Sequence, residues 1–471
     1  MVRALSQDRD LPVAARMFPA RKSEKTNGVM FAVEPSACAA TRERFEMPAR
    51  RYVFRTVLIC VWAAAGIASN LAWGDGAAPA SFPRLMGMNI GAKNYQDSGY
   101  QKDLARMDVV ILGFYRGWQP PGYASNATSA IRKTVQAIKA QNPNILVGQY
   151  TILNETYDNP RDTATLDLRD KLNANNWWLF NAAGRKVQWT AEYSAWDINF
   201  TTWARPDSEG RRWPEWLAER NYTVFFRDIP EFDIVYVDNI MIRPRMTADW
   251  DTDGVNDDPK DSRTVSAHYA GHLAHWRRIR ELQPNSLLLG NTDGDLANAQ
   301  WRNQLDGAFL EALMGEGWSV ETWGGWPAMM ARYRAVLQNT RQPNIIGFNV
   351  WGAADDYRFF RYAYASCLLD DGYFSFTDKG KGYSSVPWFD EYDHKLGKAL
   401  SGPPTAAWSQ GVWRRDFQNG IVLVNPTSET RTVNVGSGLR RLAGKQDPAV
   451  NNGSAVSQVS IRPKDGIVLR R

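Results

Sequence analysis

A chain of 471 residues is longer than one ordinary domain, and one large unit with a small appendage is its natural division. Its net charge of +6 invites a nucleic-acid partner, yet the first 73 residues hold 11 Lys/Arg against 6 Asp/Glu, which leaves about +1 for everything after and no footprint for phosphate backbones. The 3 cysteines exclude a disulfide framework, because Cys38 and Cys60 fall in the leader and Cys367 is left alone.

Residues 1–46 show no consistent periodicity, and Met47 stands just ahead of a basic cluster, so Met47 is the expected true start. Arg50, Arg51 and Arg55 precede the apolar run Val57 to Ala68, after which the chain turns small and polar as far as Pro79. A basic region, an apolar core too short to span a bilayer comfortably and a processing zone predict a signal peptide over 47–79. The mature protein is then secreted or periplasmic, with no stable membrane span.

The exported part, 80–400, reads as eight strands interleaved with helices. The strands are Leu85 to Ile90, Val109 to Phe114, Ile145 to Thr151, Phe232 to Asp238, Leu287 to Asn291, Ala308 to Glu311, Ile345 to Trp351 and Tyr373 to Thr377. Each is a short, nearly continuous apolar run, the pattern of parallel strands buried on both faces. Ile131, Val135 and Ile138 recur at helical spacing, as do Leu273, Trp276, Ile279 and Leu282, and further helices are predicted over Ala328 to Leu337, Phe359 to Leu369 and Trp388 to Leu400. The fold class that follows is α/β, a (β/α)8 TIM barrel. An insertion at 153–230 carries Trp177, Trp178, Trp189, Trp196 and Trp203. It either lays aromatic and acidic groups (Glu192, Asp197) over the barrel mouth or packs as a capping subdomain. After a linker at Ser401 to Pro404, residues 405–471 alternate as short strands with an Asn419-Gly420 turn, predicting a small C-terminal antiparallel β-sandwich.

Two of the barrel strands end on acids. Glu231 to Arg243 (EFDIVYVDNIMIR) places Asp238 and Asn239 just past its apolar core, and Asp306 to Leu313 (DGAFLEAL) does the same with Glu311. In a βα barrel such ends form the catalytic rim, and a pair of carboxyls there is what glycosidic cleavage needs: one protonates the leaving oxygen, the other attacks or activates water. Asp238 is expected as nucleophile or base and Glu311 as general acid, with the reverse left open along with retention or inversion. Asn239 and Asn291 are candidates for hydrogen bonds to sugar hydroxyls, and Tyr115, Trp118, Trp189, Trp196 and Trp351 for stacking on sugar rings. Glu155, Asp197, Asp293, Asp295, Asp355 and Asp356 are reserve acids, the last two better placed to start a helix.

The motifs YVDN (236–239), WWLFNAAGRKVQW (177–189) with WDIN (196–199), FLEA (309–312) and RDFQNGIVLVNP (415–426) resemble a bacterial TIM-barrel group known as hypothetical glycosyl hydrolase family fifteen. The chain is also similar to the endo-α-1,4-polygalactosaminidase and spherulin-4-like barrels. The resemblance covers about 82–470, implies a glycosidase fold, and carries Asp238 and Glu311 over as the acids; it supplies no substrate.

DWDTDGVND sets Asp249, Asp251, Asp253 and Asp257 around Gly254 with the spacing of a Ca²⁺ loop, although Lys260 stands where a closing acid belongs. A structural Ca²⁺ is weighed there against a solvated acidic turn, and no cofactor is expected for catalysis. His268, His272 and His275 share a helical face, but Tyr269 replaces the Glu of the zinc-protease motif, and a plain histidine cluster is favoured over zinc. Neither a P-loop nor a dinucleotide fingerprint is present, which disfavours phosphoryl transfer. The expectation is a monomeric, secreted glycoside hydrolase whose partner is a polysaccharide or oligosaccharide; the alternative is a non-catalytic polysaccharide-binding barrel.

Overall fold

The computed structural model describes residues 81–91, 93–113, 118, 125–191, 194–292 and 302–471. The leader and, among the residues singled out above, Tyr115, Glu192, Asp293 and Asp295 lie outside the described residues. The first part of the chain runs β1 (Met86–Asn89), α1 (Ser98–Leu104), β2 (Val109–Leu112), α2 (Ser125–Gln141), β3 (Leu146–Ile152), β4 (Glu155–Tyr157), α3 (Leu166–Asn175), β5 (Ala195–Asp197), α4 (Trp213–Asn221) and β6 (Ile234–Asp238). It continues with α5 (Ser262–Leu282), β7 (Leu287–Asn291), β8 (Gly307–Met314), α6 (Val320–Asn339), β9 (Ile345–Gly352), α7 (Tyr357–Leu368) and β10 (Tyr373–Asp378). Apart from β4 and β5, which pair only with each other, these strands are parallel in the order β1-β2-β3-β6-β7-β8-β9-β10. Leu85 bridges Phe374, whose N–H donates to Arg84 O at 2.8 Å, and the sheet closes into a (β/α)8 barrel.

Strand parity divides the apolar residues between two layers. Met86, Met88, Val109, Ile111, Tyr150, Ile234, Tyr236, Leu289, Phe309 and Ile345 meet in one cluster, which is the barrel interior. Their neighbours Val110, Val147, Val235, Val237, Leu288, Ala308, Leu310, Ile346 and Phe348 belong to the larger cluster shared with the helices. A side chain two residues beyond an interior one faces inward again. Ile234, Tyr236 and Asp238 therefore share one direction, and so do Leu289 and Asn291, and Phe309 and Glu311.

The helices start where short acids can cap them. Asp97 accepts from Tyr100 N–H, Asp261 from Arg263 and Thr264 N–H, and Asp356 from Phe359 N–H. The insertion packs its aromatics into the core shared with the helices, with Trp177 and Trp213 buried edge to face at 6.3 Å, and leans on α5 at Gly271, where a Cβ would stand 2.2 Å from Phe200 O. Among the described residues no helix is long and apolar enough to cross a membrane.

The expected helix over Trp388 to Leu400 is not formed. One 3₁₀ turn, Asp390–Asp393, interrupts an otherwise irregular segment. Phe389, Tyr392 and Leu396 have helical spacing and are all buried, but Phe389 stacks on Phe360 at 3.6 Å and Gly397 turns at φ 75° to bridge Phe82, so tertiary packing takes the apolar residues without a helix. Beyond it come β11 (Trp413–Phe417), β12 (Gly420–Asn425), β13 (Arg431–Arg441), β14 (Ala455–Ile461) and β15 (Asp465–Arg470), an antiparallel sheet in the order β11-β12-β15-β13-β14. The C-terminal module is thus one five-stranded sheet. It bends at the register shift between Asn434 and Leu439, where Gly436 and Gly438 take φ near +83°, and folds over its own cluster of Val412, Ile421, Leu423, Val433, Val459, Ile461 and Ile467. Its other face meets the barrel, where buried Arg361 of α7 pairs with Asp465 at 3.1 Å and with Asp447.

Candidate active site

Asp238 and Glu311 reach the same pocket from β6 and β8, with β7 between them. Its walls are Met88, Ile90, Tyr150, Tyr236, Asp238, Asn291, Phe309, Glu311 and Tyr383, and the space of about 10 Å³ holds roughly one water. Asn291, at the end of the intervening strand, joins the acids: its Nδ2 donates to Glu311 Oε2 at 2.9 Å, and the same side chain hydrogen-bonds the Asp238 carboxyl. Tyr150 donates its hydroxyl to Asp238 Oδ2, and Tyr383 donates to Glu311 Oε1.

Both acids are followed by a residue in the left-handed region, Asn239 at φ 54° and Ala312 at φ 44°. Such conformations are sparsely populated for non-glycine residues and persist where surrounding bonds hold them. Asn239 turns its own N–H onto the Asp238 carboxyl, and Asn154 Nδ2 donates to its carbonyl at 3.4 Å. Around Ala312 the register between β8 and β9 shifts, a bulge that ends the regular ladder at Leu310 and leaves Glu311 just past it. Buried Asn349 fixes it: Oδ1 accepts Ala312 N–H at 3.0 Å, while Nδ2 donates to Thr377 Oγ1 at 3.0 Å and Ser375 Oγ at 3.1 Å. Tyr383 arrives on the loop after β10, which can close on β1 because Gly91 lacks a Cβ that would stand 2.7 Å from the Tyr383 backbone.

Burial drives the Asp238 carboxyl above the ordinary aspartate range; the donors Tyr150, Asn239 and Asn291 pull it back, and the charge of Glu155 pushes it up again. Burial first, then the neighbouring carboxylates, lift the phenols of Tyr150 and Tyr383 well above their usual value, so both stay protonated donors.

Beside this pocket lies a second buried group. Glu155 and Asp197 face each other across the β4–β5 pair, Arg245 Nη2 approaches Glu155 Oε2 at 2.9 Å and Asp197 Oδ1 at 3.7 Å, and Trp189 Nε1 donates to Glu155 Oε2 at 2.8 Å under the Arg245 guanidinium. One guanidinium serves two acids and sits nearer Glu155. Asp197 is pushed up to about 7, chiefly by burial, with Arg245 opposing and Glu155 adding to it.

Of the residues marked in the sequence, Asp238, Glu311 and Asn291 meet in the pocket. Trp351 stands next to it, edge-on to Tyr383 at 5.1 Å, with its buried Nε1–H lacking a hydrogen-bond partner. Asn239 is a backbone hinge rather than a wall of the pocket. Glu155, Asp197 and Trp189 form the lateral cluster, Trp196 packs half-buried on the main core, and Trp118 is buried with Nε1 on Gln149 Oε1 at 2.8 Å. Asp355 and Asp356 are exposed at the start of α7. A roomier hollow of about 300 Å³ opens between the insertion, at Asn176, Trp178, Phe180 and Asn181, and the acidic loop at Asp249, sharing no wall with the acid pocket.

Sequence reasoning passed over Tyr150, Tyr383, Asn349 and Arg245. Tyr150 was within reach, since it precedes the end of an apolar strand with the parity of the barrel interior; Tyr383 sits in a loop and carries no such signal.

Carboxylate oxygens of Asp249, Asp251 and Asp257 lie within 4.8 Å of one another, a set that does not include Asp253, whose Oδ1 instead accepts Val255 N–H at 2.8 Å. Asp251 Oδ1 is buried without a hydrogen-bond partner, as an oxygen kept for a cation would be. His268 and His272 pack against Phe200, tilted at 4.6 Å and edge-on at 5.0 Å, and His275 Nδ1 bonds Pro214 O at 2.8 Å. Burial depresses all three, His268 to about 3 and His275 to about 4, and they are neutral core groups rather than a gathered metal set.

The family model "Hypothetical glycosyl hydrolase family 15" matches residues 139–421. No curated protein matches the chain. Among solved structures it is similar to Eubacterium rectale Amy13B, at 11% identity over 83% of this chain and 97% of that chain with a TM-score of 0.47. It is also similar to the glycoside hydrolase domain of PelA from Pseudomonas aeruginosa, at 12% identity over 66% and 98% with a TM-score of 0.39. A debranching enzyme of Nostoc punctiforme matches at 12% identity over 80% and 88%, with a TM-score of 0.46.

Proposed function

The chain belongs to hypothetical glycosyl hydrolase family 15, and from that premise we propose that it hydrolyses O-glycosidic bonds of a polysaccharide through the Asp238–Glu311 pair. The observation that carries this reading is the amide of Asn291 shared by the two carboxyls. Two carboxyls held on one side-chain amide stand close together, as the pair does in retaining glycosidases, where the separation is roughly 5–5.5 Å. Retention is accordingly part of the proposal.

Asp238 is the nucleophile and Glu311 the proton donor. The raised pKa of Asp238 by itself favours the opposite assignment. Three donors aimed at it, from Tyr150, Asn239 and Asn291, support the assignment made here, because each favours the charged form of the buried carboxyl. Glu311, on the longer side chain, reaches for the leaving oxygen, protonates it as the bond breaks, and then takes the proton from the water that releases the sugar. Asn291 holds the two carboxyls in one frame throughout.

The basic and apolar stretch at 47–79 is proposed to export the protein. Asp249, Asp251 and Asp257 are proposed to hold a structural Ca²⁺ that stiffens the loop following the Asp238 strand, with no part in the chemistry. The narrow space between the acids favours one other reading, a barrel that binds glycan without cleaving it. A screen of the purified protein against bacterial exopolysaccharides, amino-sugar polymers included, with reducing-end release as readout, separates the two. Release that disappears in Asp238→Asn and Glu311→Gln supports hydrolysis, while binding without release supports the other.

A further inference from the structure

The space between the two acids admits about one water, so most of the contact area of a sugar chain has to lie on the rim. The rim segment that leaves Glu311 is built to stay in place. Ser319 Oγ donates to Ala312 O at 2.6 Å and accepts Glu316 N–H at 2.9 Å, Thr322 Oγ1 donates to Glu316 O at 2.8 Å, and Lys379 pairs with Glu316 at 2.9 Å. Two indoles ride on this segment. Trp318, half-buried, packs against the interior cluster that contains Trp351 and Tyr383, the latter bonded to Glu311. Trp323 is 62% exposed, the most exposed aromatic side chain among the described residues. Its Nε1 donates to Trp318 O at 3.1 Å, and Arg332 stands 5.6 Å over its ring. Just beyond, α6 breaks at Gly325 (φ 75°) ahead of Pro327, so the turn bearing Trp323 does not continue into the packed part of the helix.

Beyond its bond to Trp318 O and its contact with Arg332 the Trp323 ring buries little, and an amphipathic indole held in one orientation on the rim presents a flat apolar face with a polar edge to a ligand. The apolar C–H face of a pyranose fits it, and the contacts just named connect it to the acid pocket. We propose that Trp318 and Trp323 form a binding track for the sugar units of a polysaccharide outside the catalytic pocket, so that the protein grips an extended chain rather than a terminal sugar alone. Arg332 lies where it can hydrogen-bond a hydroxyl of the stacked unit. The unpartnered Nε1–H of Trp351 offers another donor nearer the acids. This rests on the glycosidase reading for its substrate class, but it predicts binding rather than turnover.

The test uses the full protein carrying Asp238→Asn, so that nothing is cleaved, and titrates it with disaccharides and hexasaccharides of α-1,4- and β-1,4-linked hexoses and hexosamines by calorimetry. The parent binds a hexasaccharide more tightly than the matching disaccharide. Trp323→Ala weakens hexasaccharide binding about tenfold or more and removes the length dependence, as truncating a stacked indole at a binding hot spot does. Trp323→Phe restores most of it, and Trp408→Ala, which alters another accessible indole on the C-terminal module, keeps it. Equal hexasaccharide affinity in the parent and Trp323→Ala overturns the track, as does a parent that binds no hexasaccharide. A Trp323→Ala effect seen in self-association by sedimentation, with sugar binding intact, makes the patch a protein contact and overturns it too. If the track holds while the wild type releases no reducing ends, the hydrolase reading fails and this one stands.

Discussion

Replacing Tyr150 with Phe deletes one oxygen from the molecule, and that oxygen is a donor to Asp238. The carboxyl is buried and already lifted above its ordinary value, so each donor it keeps counts toward holding the charged form at neutral pH. A hydrogen bond to a charged group contributes about 1.5–3 kcal/mol, which corresponds to roughly one to two pKa units. The direction is upward. If Asp238 must be ionised to attack, activity is lost as pH falls through its pKa, and Tyr150→Phe moves the acid limb of the kcat/KM profile to higher pH by that amount. The same change has a signature in stability. A carboxyl whose folded pKa is raised contributes stability that is complete below its unfolded pKa and is lost as pH rises through the folded one. Removing the donor deepens that loss, so the variant melts close to wild type in acid and falls behind it as pH rises. The assay is a pH series of initial rates with a parallel series of melts. An acid limb that stays in place or moves down refutes the role given to Tyr150 and to an ionised Asp238.

The acids themselves are predicted to separate activity from folding: Asp238→Asn and Glu311→Gln each lower turnover by about 10²–10⁴, while thermal melts stay near wild type, and full turnover in either variant removes that residue from the mechanism. Asp197, pushed up to about 7, gives stability that is complete below pH ~4 and lost as pH rises through about 7, worth up to about 4 kcal/mol for a shift of this size. Asp197→Asn flattens that dependence in urea denaturation between pH 5 and 8, and an unchanged slope shows that Arg245 keeps Asp197 ionised. For the acidic loop, Ca²⁺ at a hundredfold excess over its dissociation constant adds about 2.7 kcal/mol and raises the melting temperature, chelator reverses it, and Asp251→Asn abolishes the response; identical melts with and without Ca²⁺ remove the ion from the loop.

What the sequence determined by itself is the barrel and its two acids. Each strand is a short apolar run buried on both faces, a pattern that burial imposes residue by residue, and the runs ending at Asp238 and Glu311 fall within a few residues of the observed strands. Their inward direction follows from the two-residue period of a strand. The helix expected over Trp388 to Leu400 failed for a related reason: Phe389, Tyr392 and Leu396 recorded burial, and burial does not say which backbone delivers it. What the tertiary structure alone decided is everything that depends on separate strands meeting. That Asn291 stands between the acids follows from β7 lying between β6 and β8, and that Tyr383 reaches Glu311 follows from closing the barrel, which brings residues 72 apart in the chain within a hydrogen bond. The aromatics divided in the same way. Composition marked tryptophan as abundant, but only packing sent Trp177 and Trp213 into a core and left Trp323 in water beside the rim, because side-chain exposure is settled by neighbours that the local sequence does not contain.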